Sequence, residues 1–244
     1  MLQGKLALVT GAARRVGRVV AMALAQRGAR LAIHYNRSRA EAQRLADEIQ
    51  SSFGRETILV RADLANAVEV RRLSEGILKQ HGSVHVLVNN ASIYDKAAFG
   101  KTEIHDWDSH LDINLRAPFF LGQSLGSAMK KAGEGKIIHI SDWAAHRPYV
   151  EYIPYCISKA GLLCLNTALA KALAPEVQVN AVLPGPVLLP DGESRRAREA
   201  ARNATLLKRL GNPEDVARAI LFLIEGSDFI TGAALTIDGG RLIA

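Results

Sequence analysis
The sequence predicts an α/β fold, a single domain over residues 1–244 built on a doubly wound, mostly parallel sheet of seven strands with helices on both faces. Three observations carry this expectation. Short apolar runs recur at 6–10, 31–35, 57–60, 84–88, 136–140, 177–182 and 234–237. Stretches of helical periodicity separate them, as the crossovers of a parallel sheet require. No repeat, linker or low-complexity segment interrupts the series.

Composition sets the outer limits. At 48% hydrophobic and 23% charged residues, the 244-residue chain is of ordinary globular character and long enough for a substantial core. No apolar run reaches the roughly 18 residues of a membrane span. The start, MLQGKLALVT, enters a strand pattern directly and lacks the apolar core of a signal peptide, so the cytoplasm is the expected compartment. Cys156 and Cys164 fall on one expected helix, about 12 Å apart along its axis, too far for a disulfide. The His residues are scattered without ligand spacing, and no metal is expected. The net charge of +7 reads either as a basic solvated surface or as a preference for anionic small molecules. The basic residues are dispersed and not interleaved with aromatics, so neither nucleic acid nor membrane is an expected partner.

Residues 6–10 form the first buried strand by their continuous apolar character. Gly11-Ala-Ala-Arg-Arg-Val-Gly17 follows, then a helix over about 18–27 stopped by Gly28, then the second strand. A glycine turn between strand and helix lets backbone N–H groups and the helix N-terminus face a pyrophosphate. Sites that prefer NAD often place an acid after the second strand to bind the ribose 2′-hydroxyl. Here that strand ends His34-Tyr-Asn-Arg-Ser38, with no acid. Arg37 and Ser38 offer a fixed cation and a hydroxyl suited to a 2′-phosphate, so NADP(H) is expected over NAD(H). Residues 39–53 make an amphipathic helix, with Ala42, Leu45, Ala46 and Ile49 on one face. Asp63-Leu64 follows the third strand, where a carboxylate can reach an adenine.

In the middle of the chain, a helix is expected over 65–80. Asn89-Asn-Ala-Ser92 closes the fourth strand, at the end where open α/β sheets bind ligands. Asn chemistry also serves a plain turn. Tyr94, just beyond, reads either as a platform for a flat ring or as a loop tyrosine. Helical patterns cover 104–115 and 117–131, with a polar Asn114 between Ile113 and Leu115 that calls for a definite partner.

The second half holds the proton chemistry. Tyr155 and Lys159, four residues apart, share one face of a helix expected over 155–174. Asp142 stands thirteen residues before Tyr155, at the end of the fifth strand. Ser141 is its competitor: neighbours in extended backbone point to opposite faces, so only one of them faces the site, and the spacing favours Asp142. The sixth strand ends at Pro184-Gly-Pro186. Residues 191–202 are polar and charge-rich, fitting a lid or a surface helix, and the lid is placed over about 188–208. Asn212-Pro-Glu-Asp215 carries the signals of a helix start.

Taken together these residues resemble the short-chain dehydrogenase/reductase family over nearly the whole chain. The shared marks are Thr10-Gly11 with Gly17, Asp63, Asn89-Asn-Ala91, Asn114, Tyr155-x-x-x-Lys159, Pro184-Gly185 and the terminal Asp238-Gly-Gly240. The resemblance implies a Rossmann fold, a nicotinamide cofactor and a homotetramer. Two departures narrow it: Arg15 where the family usually has glycine, and Asp142 where it usually has the catalytic serine. Both are features of pteridine reductases, which the sequence also resembles at Gly-Ala-Ala-Arg-Arg-Val-Gly, at His34 to Ser38 with Ala40-Glu-Ala42, and at Asn90-Ala-Ser92.

That resemblance implies cofactor contacts from Gly11, Arg15, Val16, Tyr35, Asn36, Arg37, Ser38, Asp63, Leu64, Asn90, Ala91, Ser92, Tyr155, Lys159, Pro184 and Gly185. It implies substrate contacts from Arg15, Ser92, Tyr94, Asp142 and Tyr155, and a catalytic set of Asn114, Asp142, Tyr155 and Lys159. Tyr155 would deliver the proton that follows hydride transfer, its phenol lowered from near pH 10 by Lys159. Asn114 would position a water linked to Lys159. The expected function is NADPH-dependent reduction of a dihydropterin, extending to dihydrofolate. A carbonyl reductase such as a 3-oxoacyl-carrier-protein reductase stands as the alternative. A protein that binds cofactor or nucleic acid without turnover is a third reading, against which the complete Asn114, Tyr155, Lys159 set argues.

Overall fold
A computed structural model describes residues 2–189 and 192–244. The expected Asp191 at the start of the polar segment lies outside the described residues. Seven strands form one sheet: β1 (Leu6–Val9), β2 (Arg30–Tyr35), β3 (Thr57–Arg61), β4 (Val86–Asn89), β5 (Gly135–Ile140), β6 (Val177–Pro184) and β7 (Ala234–Ile237). Their order is β3-β2-β1-β4-β5-β6-β7, every pair parallel. The order reverses beside β1, so the C-terminal ends of β1 and β4 open a crevice.

Alternation along each strand feeds two cores. Ala7 and Val9 of β1, Val86 and Val88 of β4, and Ile138 and Ile140 of β5 pack under α1 (Arg15–Gln26), α2 (Arg39–Phe53) and α8 (Pro213–Glu225). Leu6, Leu8, Leu87 and Ile137 face the other way, onto α3 (Ala67–His81), α5 (Ala117–Ala132) and α6 (Ile153–Leu173). By length and mean hydropathy (1.2) α6 passes as a membrane span, which qualifies the expectation drawn from apolar runs. In the fold it is a core helix, burying Leu162, Leu165, Leu169 and Leu173.

Helix boundaries follow local chemistry. α2 covers the predicted 39–53 and stops at Gly54 in the left-handed region (φ 63°). α3 starts two residues later than expected because Asn66 caps it, accepting from the Val68 and Glu69 N–H groups. α8 carries the predicted start as a capping box between Asn212 and Asp215. α1 begins at Arg15, three residues earlier than expected. The two helical patterns of the middle are joined: α4 (Ile104–Leu111) runs into a π-helical turn, Asp112–Arg116, and on into α5. Pro118 explains the wide turn, because it withholds the N–H that an α-helix would give the Asn114 carbonyl. The segment expected as lid or surface helix contains α7 (Arg195–Asn203), which buries no residue.

Candidate active site
The glycine turn is held from three sides. Gly11 takes φ 61° and donates its N–H to His34 Nδ1 at 3.0 Å, while His34 Nε2 meets the Ala62 carbonyl at 3.1 Å. With Nδ1 accepting, the proton sits on Nε2, and burial brings the imidazole pKa down to about 4. One neutral ring thus fastens the turn to the ends of β2 and β3, a role that neither periodicity nor spacing revealed. Asn90 Nδ2 donates to the Thr10 carbonyl (2.7 Å) and to the Gly11 carbonyl (3.2 Å), and Thr10 Oγ1 accepts from the N–H groups of Asn90 and Ala91. Gly17 has no room for a side chain: a Cβ would lie 2.4 Å from the Gly11 oxygen and 2.5 Å from Asn90 Nδ2.

The N-terminus of α1 faces this turn without a side-chain cap and without an acid in its first turn. Uncapped N–H groups and the helix dipole suit an anion, and Arg14 and Arg15 stand beside them. Arg15 itself is left-handed (φ 53°), at the position where glycine is usual. Its guanidinium donates to the carbonyls of Leu188 and Leu189, both at 3.1 Å, and so ties the turn to the segment before α7.

A cavity of about 520 Å³ opens beside the turn, of a size with small-molecule sites. Of the residues predicted to bind, Gly11, Arg15, Val16, Asn90, Ala91, Ser92, Tyr94, Asp142, Tyr155, Lys159, Pro184 and Gly185 line it. Tyr35, Asn36, Arg37, Ser38, Asp63, Leu64 and Asn114 do not. Asn36, Arg37 and Ser38 leave the end of β2 toward solvent, and Ser38 is the N-cap of α2 without using its hydroxyl there. Asp63 gives Oδ1 to the Ala65 N–H. The side chains of Tyr35 and Leu64 are buried in the two cores, which leaves their backbone for a ligand.

The proton-handling residues meet at the end of β5. Tyr155 donates its phenolic hydrogen to Asp142 Oδ2 at 2.8 Å, and Asp142 Oδ1 accepts from the Ala144 N–H at 2.7 Å. Ser141 also borders the cavity, but its hydroxyl is committed to the Lys159 carbonyl (2.9 Å). Burial raises the Asp142 pKa, against the opposing pull of its two hydrogen bonds and of Lys159. Lys159 is 3% exposed; it donates to the Ile140 carbonyl at 2.8 Å, and burial brings its pKa down to about 8.

One expectation needs correction. The Tyr155 phenol is not lowered on balance: burial and the Asp142 charge push it well above its ordinary value, while the Lys159 ammonium sits 5.6 Å from the ring centre. The side chain of Asn114 is engaged by protein partners. Its oxygen accepts from the Ile93 N–H (2.9 Å), and its nitrogen donates to the Ile93 carbonyl (3.1 Å) and Ser158 Oγ (3.0 Å).

Aromatic rings wall the site. Tyr94 stacks face to face on Tyr152, with centroids 4.2 Å apart and planes 5° off parallel, and turns an edge toward Tyr155 at 4.7 Å. Trp143 and Tyr149, absent from the predicted set, line the cavity edge to face at 5.3 Å. Arg241, also unpredicted, lays its guanidinium over Trp143 at 4.9 Å.

Comparison with known proteins extends the same pattern. A family model described as enoyl-(acyl carrier protein) reductase matches residues 11–241. A 3-oxoacyl-[acyl-carrier-protein] reductase of Synechocystis sp. is 35% identical over 99% of this chain and 98% of its own. The crystal structure of FolM alternative dihydrofolate reductase 1 from Brucella canis, complexed with NADP, is 32% identical and superposes with a TM-score of 0.93 over 100% of this chain and 96% of that one. A blue fluorescent protein from a metagenomic library, in complex with NADPH, is 32% identical with a TM-score of 0.91 over 98% of both chains. The likeness runs unbroken from the glycine turn to the last turn of the chain, and on that ground the chain belongs to the short-chain dehydrogenase/reductase family.

Proposed function
We propose that the chain is an NADPH-dependent pteridine reductase, reducing a dihydropterin and, by the same chemistry, dihydrofolate. The observation that carries the reading is the Tyr155–Asp142 hydrogen bond. A serine in place of Asp142 would donate to a carbonyl oxygen, whereas an ionised carboxylate only accepts. Asp142 therefore suits a substrate that presents N–H groups, or one whose reduced nitrogen is protonated through Tyr155.

NADP(H) is the cofactor, and when bound its nicotinamide supplies the hydride. The uncapped start of α1, with Arg14 and Arg15, receives the pyrophosphate. Arg37, Ser38 and the N-terminus of α2 receive the 2′-phosphate. Lys159 holds the ribose and, with a pKa near 8, passes a proton at neutral pH. Tyr155 gives its proton to the substrate and is reprotonated along its hydrogen bond to Asp142, whose carboxyl burial raises above its ordinary value. The Asn114 carbonyl holds the water that resupplies Lys159. Residues 188–208 act as the lid, anchored through Arg15 to Leu188 and Leu189. The reading includes a homotetramer, checked by its mass in light scattering.

NADPH oxidation, followed with dihydrobiopterin beside an acetoacetyl thioester, tests the proposal. The second reading, a 3-oxoacyl-carrier-protein reductase, is favoured by the Synechocystis relative. Turnover of the thioester alone would replace the first reading by the second. Tight NADPH binding with no turnover of either would remove both.

A further inference from the structure
The end of the chain delivers a cation to the cavity. Asp238 closes the turn after β7: its carboxylate accepts from the Gly240 N–H (2.8 Å) and the Leu242 N–H (2.6 Å), with Gly239 and Gly240 both at positive φ. The turn packs tightly against Gly185, where a Cβ would lie 2.6 Å from Asp238 Cα. This wedge fixes the start of the next turn, and Arg241 leaves it toward the cavity that Asp142 and Tyr155 line. The guanidinium carbon sits over Trp143, the residue after Asp142, 4.9 Å from the ring centre, and its charge acts on the Tyr149 phenol. Among the described residues no carboxylate stands within ion-pair distance of Arg241. The ring contact positions the guanidinium, and among the described residues no hydrogen bond engages its N–H groups, which stay available for a carboxylate or a phosphate. The helix that adds Ala201 to the cavity wall, α7, carries four exposed arginines (Arg195, Arg196, Arg198, Arg202) and one acid, Glu199. The mouth of the cavity is therefore positive.

We infer that Arg241 is the anion-recognition residue of the substrate site, taking a carboxylate or phosphate carried at the end of the substrate away from the reducible bond. The inference rests on the reductase reading and deepens it, since it holds the reduced substrate to be an anion. Two sources supply that chemistry: the glutamyl carboxylates of a folate-type pterin, and the phosphates of a phosphopantetheine or coenzyme A thioester.

Steady-state kinetics of Arg241→Ala, Arg241→Gln and Arg241→Lys separate them. Each source is compared with a partner lacking the anion: dihydrofolate with dihydrobiopterin, and acetoacetyl-coenzyme A with acetoacetyl N-acetylcysteamine. For the source that is used, Arg241→Ala and Arg241→Gln raise KM of the anionic member about tenfold or more, the loss expected of a charge-assisted hydrogen bond. Both leave kcat and the uncharged member within about twofold, and Arg241→Lys recovers part of the loss. Equal effects on both members of a pair, or no effect on either, overturn the inference. If only thioesters are reduced, the pterin reading fails and Arg241 is judged on the thioester pair. If neither pair is reduced, both fall.

Discussion
Tyr155 and Asp142 share one proton across 2.8 Å, and the carboxylate that accepts it is half-buried at the end of β5. Burial pushes both groups above their ordinary values, and the contact gives a proton a direct path between them. Asp142→Ser removes the inner member and keeps a hydroxyl. Pterin turnover is expected to fall about a hundredfold in kcat, within the range of general acid catalysis, with NADPH affinity nearly unchanged. Equal loss of both, read from single turnover and cofactor titration, would misplace Asp142.

Cofactor choice is expected to rest on Arg37. Arg37→Asp puts a negative charge where the 2′-phosphate is held. NADPH affinity should fall by about tenfold or more while NADH changes little. Parallel weakening of both cofactors in fluorescence titration would remove the 2′-phosphate assignment.

Acid stability is expected to carry the mark of His34. Its folded pKa of about 4 lies below the ordinary imidazole value of 6.5, so between these values the unfolded chain binds the extra proton. The neutral ring stabilises fully above pH 6.5 and loses that contribution as pH falls toward 4, by about 3 kcal/mol. His139, brought down to about 3 by burial and Lys159, acts in the same direction. Urea midpoints of the wild type should drop steeply between pH 7 and 4.5. His34→Asn should flatten part of that drop, and an unchanged slope would contradict the ring's role.

Two glycine-to-alanine substitutions should differ sharply. Gly17→Ala drives a methyl against backbone oxygen and an anchored amide, so a loss on the order of 1–3 kcal/mol and weakened NADPH binding are expected. At Gly122, in α5, the new methyl meets only the tip of Leu169, which can turn aside. There the gain in helix propensity, about 1 kcal/mol, offsets the crowding and leaves stability near wild type. Thermal melts of the pair decide it.

Arg15 trades backbone strain for a tie across the cavity. Arg15→Gly should relieve about 1 kcal/mol of left-handed strain and raise the melting temperature. It should also raise substrate KM, because the Leu188 and Leu189 carbonyls lose their donor. Arg15→Ala should raise KM without the stability gain.

Strands and most helices were legible because their signals are local. Residues 39–53 show a clean apolar face, and the chain itself supplies Gly54 as the stop. The spacing from Asp142 to Tyr155 to Lys159 was also legible, since one strand end and one helix face position all three. What escaped depends on partners far along the chain. His34 matters because Gly11 and Ala62 reach it from other strands. Tyr94 reads as a platform for a flat ligand; that one of its faces is backed by Tyr152, 58 residues away, shows only in the fold. Arg241 meets Trp143 only because β7 lies beside β6. The π-helical turn was hidden for a different reason: Pro118 reads as a break, whereas the chain absorbs it by widening.

That widened turn has a mechanical consequence. Each residue of an α-helix advances about 100° around the axis, so a turn of different pitch works as a change of phase. Below it, α5 sends Leu121 and Leu125 into the apolar core; above it, α4 turns His110 toward Tyr155, ring centres 6.5 Å apart. One nearly continuous rod thereby serves two compartments, dry below and catalytic above. Deleting a single residue within Asp112–Arg116 would restore an even pitch and re-index one half of the rod against the other, swinging Asn114 off the Ile93 backbone while every strand stayed in place.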